Sequence, residues 1–479
     1  LYLVALLVAI MMSCGSSGGG GGTYSGATPV APGTPSTPST PGTPGTPSTP
    51  GTPSTPSTPT TPSVPPRATI PSFNIKGDAT RFKYPFTPAE EAALTVIKPT
   101  IEDTAHSPDR TIDGDIIATE DKKVGTRYRR TEDVSSDSIA LRMVNKNIKM
   151  KDNSIGIDLQ GADLKFASDN YIEVGNNSIG ISGRGNPGYT GSQENTVINM
   201  AGTIKLSGDN SIGVYYFPSS KTGTVESRGA IESGKKNVVG ILVESNHAAS
   251  SYIVHNTGKI TLMGEKSVGI YGTGSGKYRI MNSGDIIIGN SPDRNNPSIG
   301  VYIDKEDVRF ENIYHASGYR GRIYVGKNSI GIMKTKGISG VNNGPGARIE
   351  LGGDGAIGIV LGEGSLGSNT GTITTVPTMD GENPKGVIGV IIGKDSYFTN
   401  YENARIIINS PGGVAVLNAG GTFINQGQVW VSDGASAEET GSPLTLSKII
   451  KPFGGESFKI YVDTQGNTNP INGIGSIGL

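Results

Sequence analysis

One short pattern recurs nine times between residues 152 and 390, and no other feature narrows the possible folds of this chain as much. Polar residues are followed by an aliphatic, a glycine and a second aliphatic. The copies begin DNSIGI (152–157), NNSIGI (176–181), DNSIGV (209–214) and KNVVGI (236–241), and continue through EKSVGI, NPSIGV, KNSIGI and DGAIGI to KGVIGV (385–390). Their glycines are Gly156, Gly180, Gly213, Gly240, Gly269, Gly300, Gly331, Gly358 and Gly389, spaced 24 to 33 residues apart. A period near 30 with variable insertions marks a solenoid or a propeller, not a string of separate domains.

A second half-motif lies between the copies, as in HNTGKITL (255–262), MNSGDIII (281–288) and INQGQVWV (424–431). In regular turns its glycine precedes the next repeat glycine by eleven positions, as Gly202 precedes Gly213 and Gly258 precedes Gly269. One side of each turn is therefore fixed, and another tolerates loops. Strand alternation puts Ile260 and Leu262 on one face and Lys259 and Thr261 on the other. The same alternation predicts Ile155 and Ile157 on a shared face, with Gly156 opposite. Asparagine ahead of each strand tolerates left-handed backbone, and asparagines stacked at equal heights form ladders.

Each turn offers about four aliphatic side chains, worth roughly 1.5–3 kcal/mol apiece when buried. Ordering costs about 1–2 kcal/mol of backbone entropy per residue, so a lone turn cannot fold and neighbours must share burial and hydrogen bonds. The expected fold is all-β, a right-handed parallel β-helix of about ten turns over 146–435, roughly 50 Å long. A propeller blade needs about 40–50 residues and four strands, and the leucine-rich consensus is absent.

Glycine supplies 71 of 479 residues, while only 34% of the chain is hydrophobic and 6% aromatic. That suits a thin core drawn out along a repeat array better than one thick globular core. The net charge is −1, from 41 basic and 42 acidic residues, and no basic patch suggests nucleic acid.

The flanks differ from the repeats. Residues 1–13 are an apolar run resembling the core of a signal peptide. It is too short to span a bilayer comfortably. Ser13 and Gly15 around Cys14, the only cysteine, resemble a bacterial lipobox, which implies lipid on Cys14. Residues 14–66 form a Gly-rich and then Thr-Pro-rich stretch, with proline at every third position favouring a disordered polyproline-II spacer. Residues 67–145 are weakly patterned, a leader or N-terminal cap. Within them TPAEEAALTVI (87–97) predicts a short helix with Thr87 as N-cap and Pro88 in its first turn. Residues 436–479 are expected to close the array as a junction.

Candidate chemistry is sparse. Four G-x-G-x-x-G matches begin at Gly183, Gly353, Gly362 and Gly473, but none opens a predicted helix. GTGSGK (272–277) lacks a residue of the Walker loop and is followed by Tyr278. The four histidines show no zinc-ligand spacing. GGDGAIGIV (352–360) faintly resembles a calcium-binding nonapeptide and occurs once, where shared ions need consecutive copies. The best acid-rich stretch is YIDKEDVRFE (302–311), with Asp304, Glu306, Asp307, Arg309 and Glu311, as a polysaccharide-cleaving β-helix would need. It sits in the variable part of a turn, where a solvated loop is the simpler explanation. No cofactor, metal or catalytic role is expected.

The repeats KSVGIYG (266–272), MNSGDIII and INQGQVWV resemble the passenger region of large autotransporter adhesins from anaerobic Gram-negative bacteria, over about 150–430. SFKIYVDTQGNTNPINGIGSIG (457–478) resembles the junction toward a membrane barrel. The resemblance implies type V secretion and a cell-surface location at the outer membrane. Attachment would run through lipid on Cys14, a C-terminal β-barrel, or both, and the ligand would be a host cell, a neighbouring bacterium or a glycan. No barrel strands follow before Leu479 and the first residue is not methionine, so a piece of a larger reading frame is expected. The alternatives are a free-standing outer-membrane lipoprotein rod and a carbohydrate-active enzyme.

Overall fold

The computed structural model describes residues 84–440, apart from 99, 104–110, 113, 132–140, 144–145, 187–195, 219–222, 247–251, 293, 295, 316–317, 319, 379–380 and 433–435. The apolar run, Cys14, the Thr-Pro-rich spacer and the expected junction beyond Thr440 lie outside the described residues.

The chain winds through three parallel sheets of 14, 12 and 12 strands, laying one strand of each per turn. One complete turn comprises Val268–Thr273, Tyr278–Asn282 and Asp285–Ile288. Each strand pairs with its counterpart one turn later: Val268 opposite Ile299, Tyr278 opposite Val308, Asp285 opposite Arg322. We call the three the glycine sheet, the asparagine sheet and the third sheet. The result is an all-β parallel solenoid of about ten turns. Its single described helix, Pro88–Ala92, has Thr87 as N-cap in a capping box with Glu90. It is shorter than the predicted span because Thr95–Val96 leaves it to pair with Lys123 and Val124.

The repeat pattern continues upstream of the expected boundary at 146. Lys123–Arg130 pairs in parallel with Ile155–Gln160, with Val124 opposite Ile155 and Thr126 opposite Ile157. Gly125 thus occupies the position of a repeat glycine, within the region expected to be a leader or cap.

Each polar residue of the motif has a task at the corner entering the glycine sheet. Asn153, Asn177, Asn210, Asn237 and Asn328 adopt φ between 49° and 57°. That left-handed geometry is one asparagine tolerates. Gly355 and Gly386 replace it in later turns, at 64° and 61°. The following serine is buried and ties turns together: Ser154 N–H donates to the Ser178 hydroxyl (3.0 Å), and Ser178 N–H to the Ser211 hydroxyl (3.3 Å).

The expected side-sharing of Ile155 and Ile157 is wrong. Ile157 and Leu159 join the interior core, whereas Ile155 joins a second apolar stack with Val124, Ile179 and Ile212. Glycine causes the break in alternation. The ladder pairs Ile155 with Ile179 and Ile157 with Ile181, and skips the two glycines between. A Cβ on Gly156 would lie 2.6 Å from the Gly180 carbonyl oxygen and 3.1 Å from Ile172 Cγ2. The strand kinks inward at each repeat glycine, so two consecutive positions face the core side, as in a bulge.

The second stack carries two residues per turn, Val268 with Tyr271, Ile299 with Tyr302, Ile330 with Met333. At its beginning Phe86 and Leu94 join it, and Tyr84 and Val96 pack against it. Tyr84 lies 4.6 Å from Tyr215 between ring centroids. Arg184 sits 5.4 Å above the Tyr84 ring and pairs with Asp158 (2.9 Å) and with Glu91.

A deeper ladder comes from the second half-motif. The buried amides of Asn256, Asn282, Asn312, Asn343, Asn369, Asn400 and Asn425 hydrogen-bond in series, Nδ2 to Oδ1, at 2.7–2.9 Å. The ladder foreseen for the asparagines ahead of the glycine strands also forms, from Asn153 to Asn237, at 3.1–3.3 Å.

Candidate functional site

Outward positions of the asparagine sheet are set by the Asn ladder. Three residues before successive ladder asparagines stand Arg279, Arg309, Gly340, Leu366 and Tyr397; one residue before stand Met281, Glu311, Asn342, Ser368 and Thr399. Strand register aligns each set into a column along the solenoid. At about 4.8 Å per turn, Arg279 to Tyr397 spans roughly 19 Å.

Between the columns and the neighbouring turns lies an open groove of about 820 Å³. Lys277, Arg279 and Arg309 line one end, and Tyr397 and Tyr401 the other, with Asn342, Ser368 and Thr399 along it. Gly340 leaves a notch midway: a Cβ there would meet only Leu366 atoms, at 3.6 and 3.8 Å. Tyr397 is 52% and Tyr401 45% exposed, so their ring faces are available to a ligand. The Ser368 hydroxyl donates to Asn342 Oδ1 at 3.0 Å, leaving the Asn342 amide N–H groups outside this bond.

The acid-rich stretch borders this groove. Both oxygens of Glu311 are engaged, one by Arg309 (2.7 Å) and the other by Arg279 (3.3 Å). Its side chain is only 11% exposed, against 37% for Arg279 and 56% for Arg309. Asp307 lies on the groove wall. Asp304 points elsewhere and accepts from the Tyr271 hydroxyl at 2.8 Å, and Glu306 pairs with Lys336 at 3.1 Å. The five residues singled out in sequence are therefore divided. Asp307 and Arg309 belong to the groove, Glu311 is an ion-pair partner beneath its rim, and Asp304 and Glu306 bind protein neighbours.

Lys334 underpins that stretch. It replaces an aliphatic in an interior column, between Ile303 and Leu361, and is fully buried. Its ammonium donates to the carbonyls of Lys305 (2.9 Å), Glu306 (3.2 Å) and Val308 (3.0 Å). Burial pulls its pKa down to about 8, against the opposing pull of Asp307, Glu306 and Asp304.

The nine repeat glycines stand in one column, each closely approached by the backbone of the next turn. That close approach is what they contribute to the packing of successive turns. Cys14 lies outside the described residues. Sequence reading missed Lys277, Arg279, Tyr397 and Tyr401. The signal that finds the columns is the ladder asparagine: aligning turns on it, not on the repeat glycine, brings Arg279, Arg309, Leu366 and Tyr397 into one position.

Among the described residues no group of three His, Cys, Asp or Glu side chains gathers to hold a metal ion, and no helix is long and apolar enough to cross a membrane. No known protein family, curated protein or solved structure matches the chain.

Proposed function

We propose that this chain is the surface-exposed passenger of an autotransporter-type protein, a stalk and adhesin that works by contact through its outer faces and not by catalysis. The groove between Arg279 and Tyr401 is the observation that carries this reading. Its residues stand mostly on paired strands, so their backbone is already ordered and little backbone entropy is lost on contact. The acid-rich stretch favours binding over hydrolysis. Glycoside cleavage needs two carboxyl groups facing one bond. Here Asp304 and Glu306 are directed to Tyr271 and Lys336, and both Glu311 oxygens are held by arginines. Attachment to the outer membrane through lipid on Cys14, a C-terminal barrel or both belongs to this reading, as does a host-cell, bacterial-cell or glycan ligand.

The test is antibody labelling of intact producing cells with serum against residues 146–435, beside adhesion of those cells to host-cell layers. Surface staining that external protease removes, and adhesion lost on deleting the coding region, are expected. Staining only after permeabilisation would overturn the surface location, and unchanged adhesion in the deletion strain would overturn the adhesin role.

A further inference from the structure

We propose that the groove binds a carboxylated polysaccharide strand lying along the solenoid axis, an inference that names the ligand of the surface-contact reading and rests on it. Three features of the groove converge on that chemistry. At one end three cations, Lys277, Arg279 and Arg309, face two carboxylates, Asp307 and Glu311. Glu311 is nearly buried and shared by both guanidiniums, each through one nitrogen, and the two arginines are 37% and 56% exposed; carboxylates are the anions that such planar forks match. At the other end Tyr397 and Tyr401 present half-exposed rings, flat apolar faces with a polar edge, suited to the C–H face of a sugar. Between them Asn342, Ser368 and Thr399 repeat amide and hydroxyl groups at the spacing of the turns. These serve as donors and acceptors for a polymer rich in hydroxyls.

The geometry disfavours other occupants. A peptide adding as a strand needs a free sheet edge, and the backbone beneath the groove is committed to the ladder on both sides. Single-stranded nucleic acid needs a strongly basic track along its whole length, whereas the cations here are confined to one end. The notch at Gly340 leaves open space next to Arg309 in the column, ahead of Leu366, and a bulky side chain there would fill the middle of the groove. The Gly340 backbone accepts a side chain without strain: its φ lies outside the left-handed range, and a Cβ meets ordinary contacts only.

The experiment uses the purified full chain, titrated by calorimetry with oligosaccharides of hyaluronan, polysialic acid and polygalacturonate. Each is compared with its carboxyl-reduced counterpart and with oligothymidylate. At least one carboxylated oligosaccharide is expected to bind, at least tenfold more tightly than its reduced form, with affinity falling as salt rises. Gly340→Phe, Tyr397→Ala and Arg309→Ala should each weaken that binding at least tenfold while leaving the far-ultraviolet circular dichroism of the solenoid unchanged. Four results would overturn the proposal: no binding across the panel, equal binding of a carboxyl-reduced form, equal binding of oligothymidylate, or full affinity in Gly340→Phe with an unaltered spectrum. The assay is made in solution and is indifferent to where the chain resides. Failure here with surface-stained, adherent cells removes only the ligand assignment, and binding here with unstained intact cells removes the surface reading.

Discussion

Asn312 sits in the middle of the buried amide ladder, accepting from Asn282 and donating to Asn343, and its Nδ2 also reaches the Gly321 carbonyl at 3.2 Å. Amides in such a column bond one another across turns and backbone carbonyls besides, so removing Asn312 takes the donor from Asn343 Oδ1 and one acceptor from Asn282 Nδ2, which keeps the Gly284 carbonyl. Leaving buried polar atoms without partners costs about 1–3 kcal/mol. Asn312→Ala should lower unfolding stability by that amount in urea titrations followed by circular dichroism. Asn210→Gly, in the shallower ladder, should cost less, at most about 1 kcal/mol: its 3.1–3.2 Å side-chain bonds are exposed to water, and glycine accepts its φ of 57°. Equal costs for the two would mean that burial of the ladder is not what stabilises it. Lys334 makes a prediction of opposite character. Its folded pKa of about 8 lies below the ordinary 10.5. Between those values the unfolded chain therefore holds a proton that the folded chain lacks. Raising pH through that window releases the proton from the unfolded state alone, and folding becomes more favourable. Relative to a Lys334→Met variant, the protein should gain stability from about pH 8 to 10.5 and lose it over the same window as pH falls back to about 8. A gap between the two that stays flat with pH would show that burial does not disfavour the charge.

At the scale of the strand, the repeat glycine sets both spacing and side-chain parity. A Cβ on Gly213 would lie 2.5 Å from the Gly240 carbonyl oxygen and 2.9 Å from Ile231 Cγ2, contacts on backbone and on a packed core side chain. Gly213→Ala should destabilise by about 1–3 kcal/mol, the usual cost of overpacking, measured as a drop in thermal midpoint. The chain itself marks where the rule relaxes. Val414–Asn418 carries Ala415 in this column, near the far end of the described sheet. Parallel strands, their period and the turn asparagines were legible in sequence because each depends on residues within one turn. The side of Ile155 was not, since strict alternation holds only while the strand stays regular, and the kink at Gly156 comes from a carbonyl in the following turn. The groove was hidden for a related reason. Arg279 and Tyr397 are four turns apart in sequence, and insertions such as 289–298 and 313–321 shift the spacing between them. The buried ladder asparagine is the one marker that keeps their register, and it looks in sequence like one more turn residue.

In the whole molecule, each described turn touches chiefly the turns before and after it, and stability is then close to a sum of turn and interface terms. The register states where such an array can be cut. Val239 and Val268 occupy equivalent positions in paired strands of the glycine sheet, as do Ile231 and Ile260 in the third sheet. Deleting residues 240–268 therefore joins Val239 to Gly269, removes one strand from each sheet and restores every column. The ladder closes by bringing Ser227, which pairs with Asn256, next to Asn282 in place of that asparagine. One amide link is lost and the rest of the ladder is kept. That shortened chain should fold, with an unchanged shape of circular dichroism spectrum and a stability lowered by roughly one turn's share. Deleting 240–254 removes about half as many residues, and takes only the glycine-sheet strand and the first part of the asparagine-sheet strand that follows it. It joins Val239 to a segment belonging to the asparagine sheet and shifts inward and outward positions downstream. The second chain should aggregate or lose its β-spectrum. If both deletions behaved alike, the register between turns would not be what specifies this solenoid.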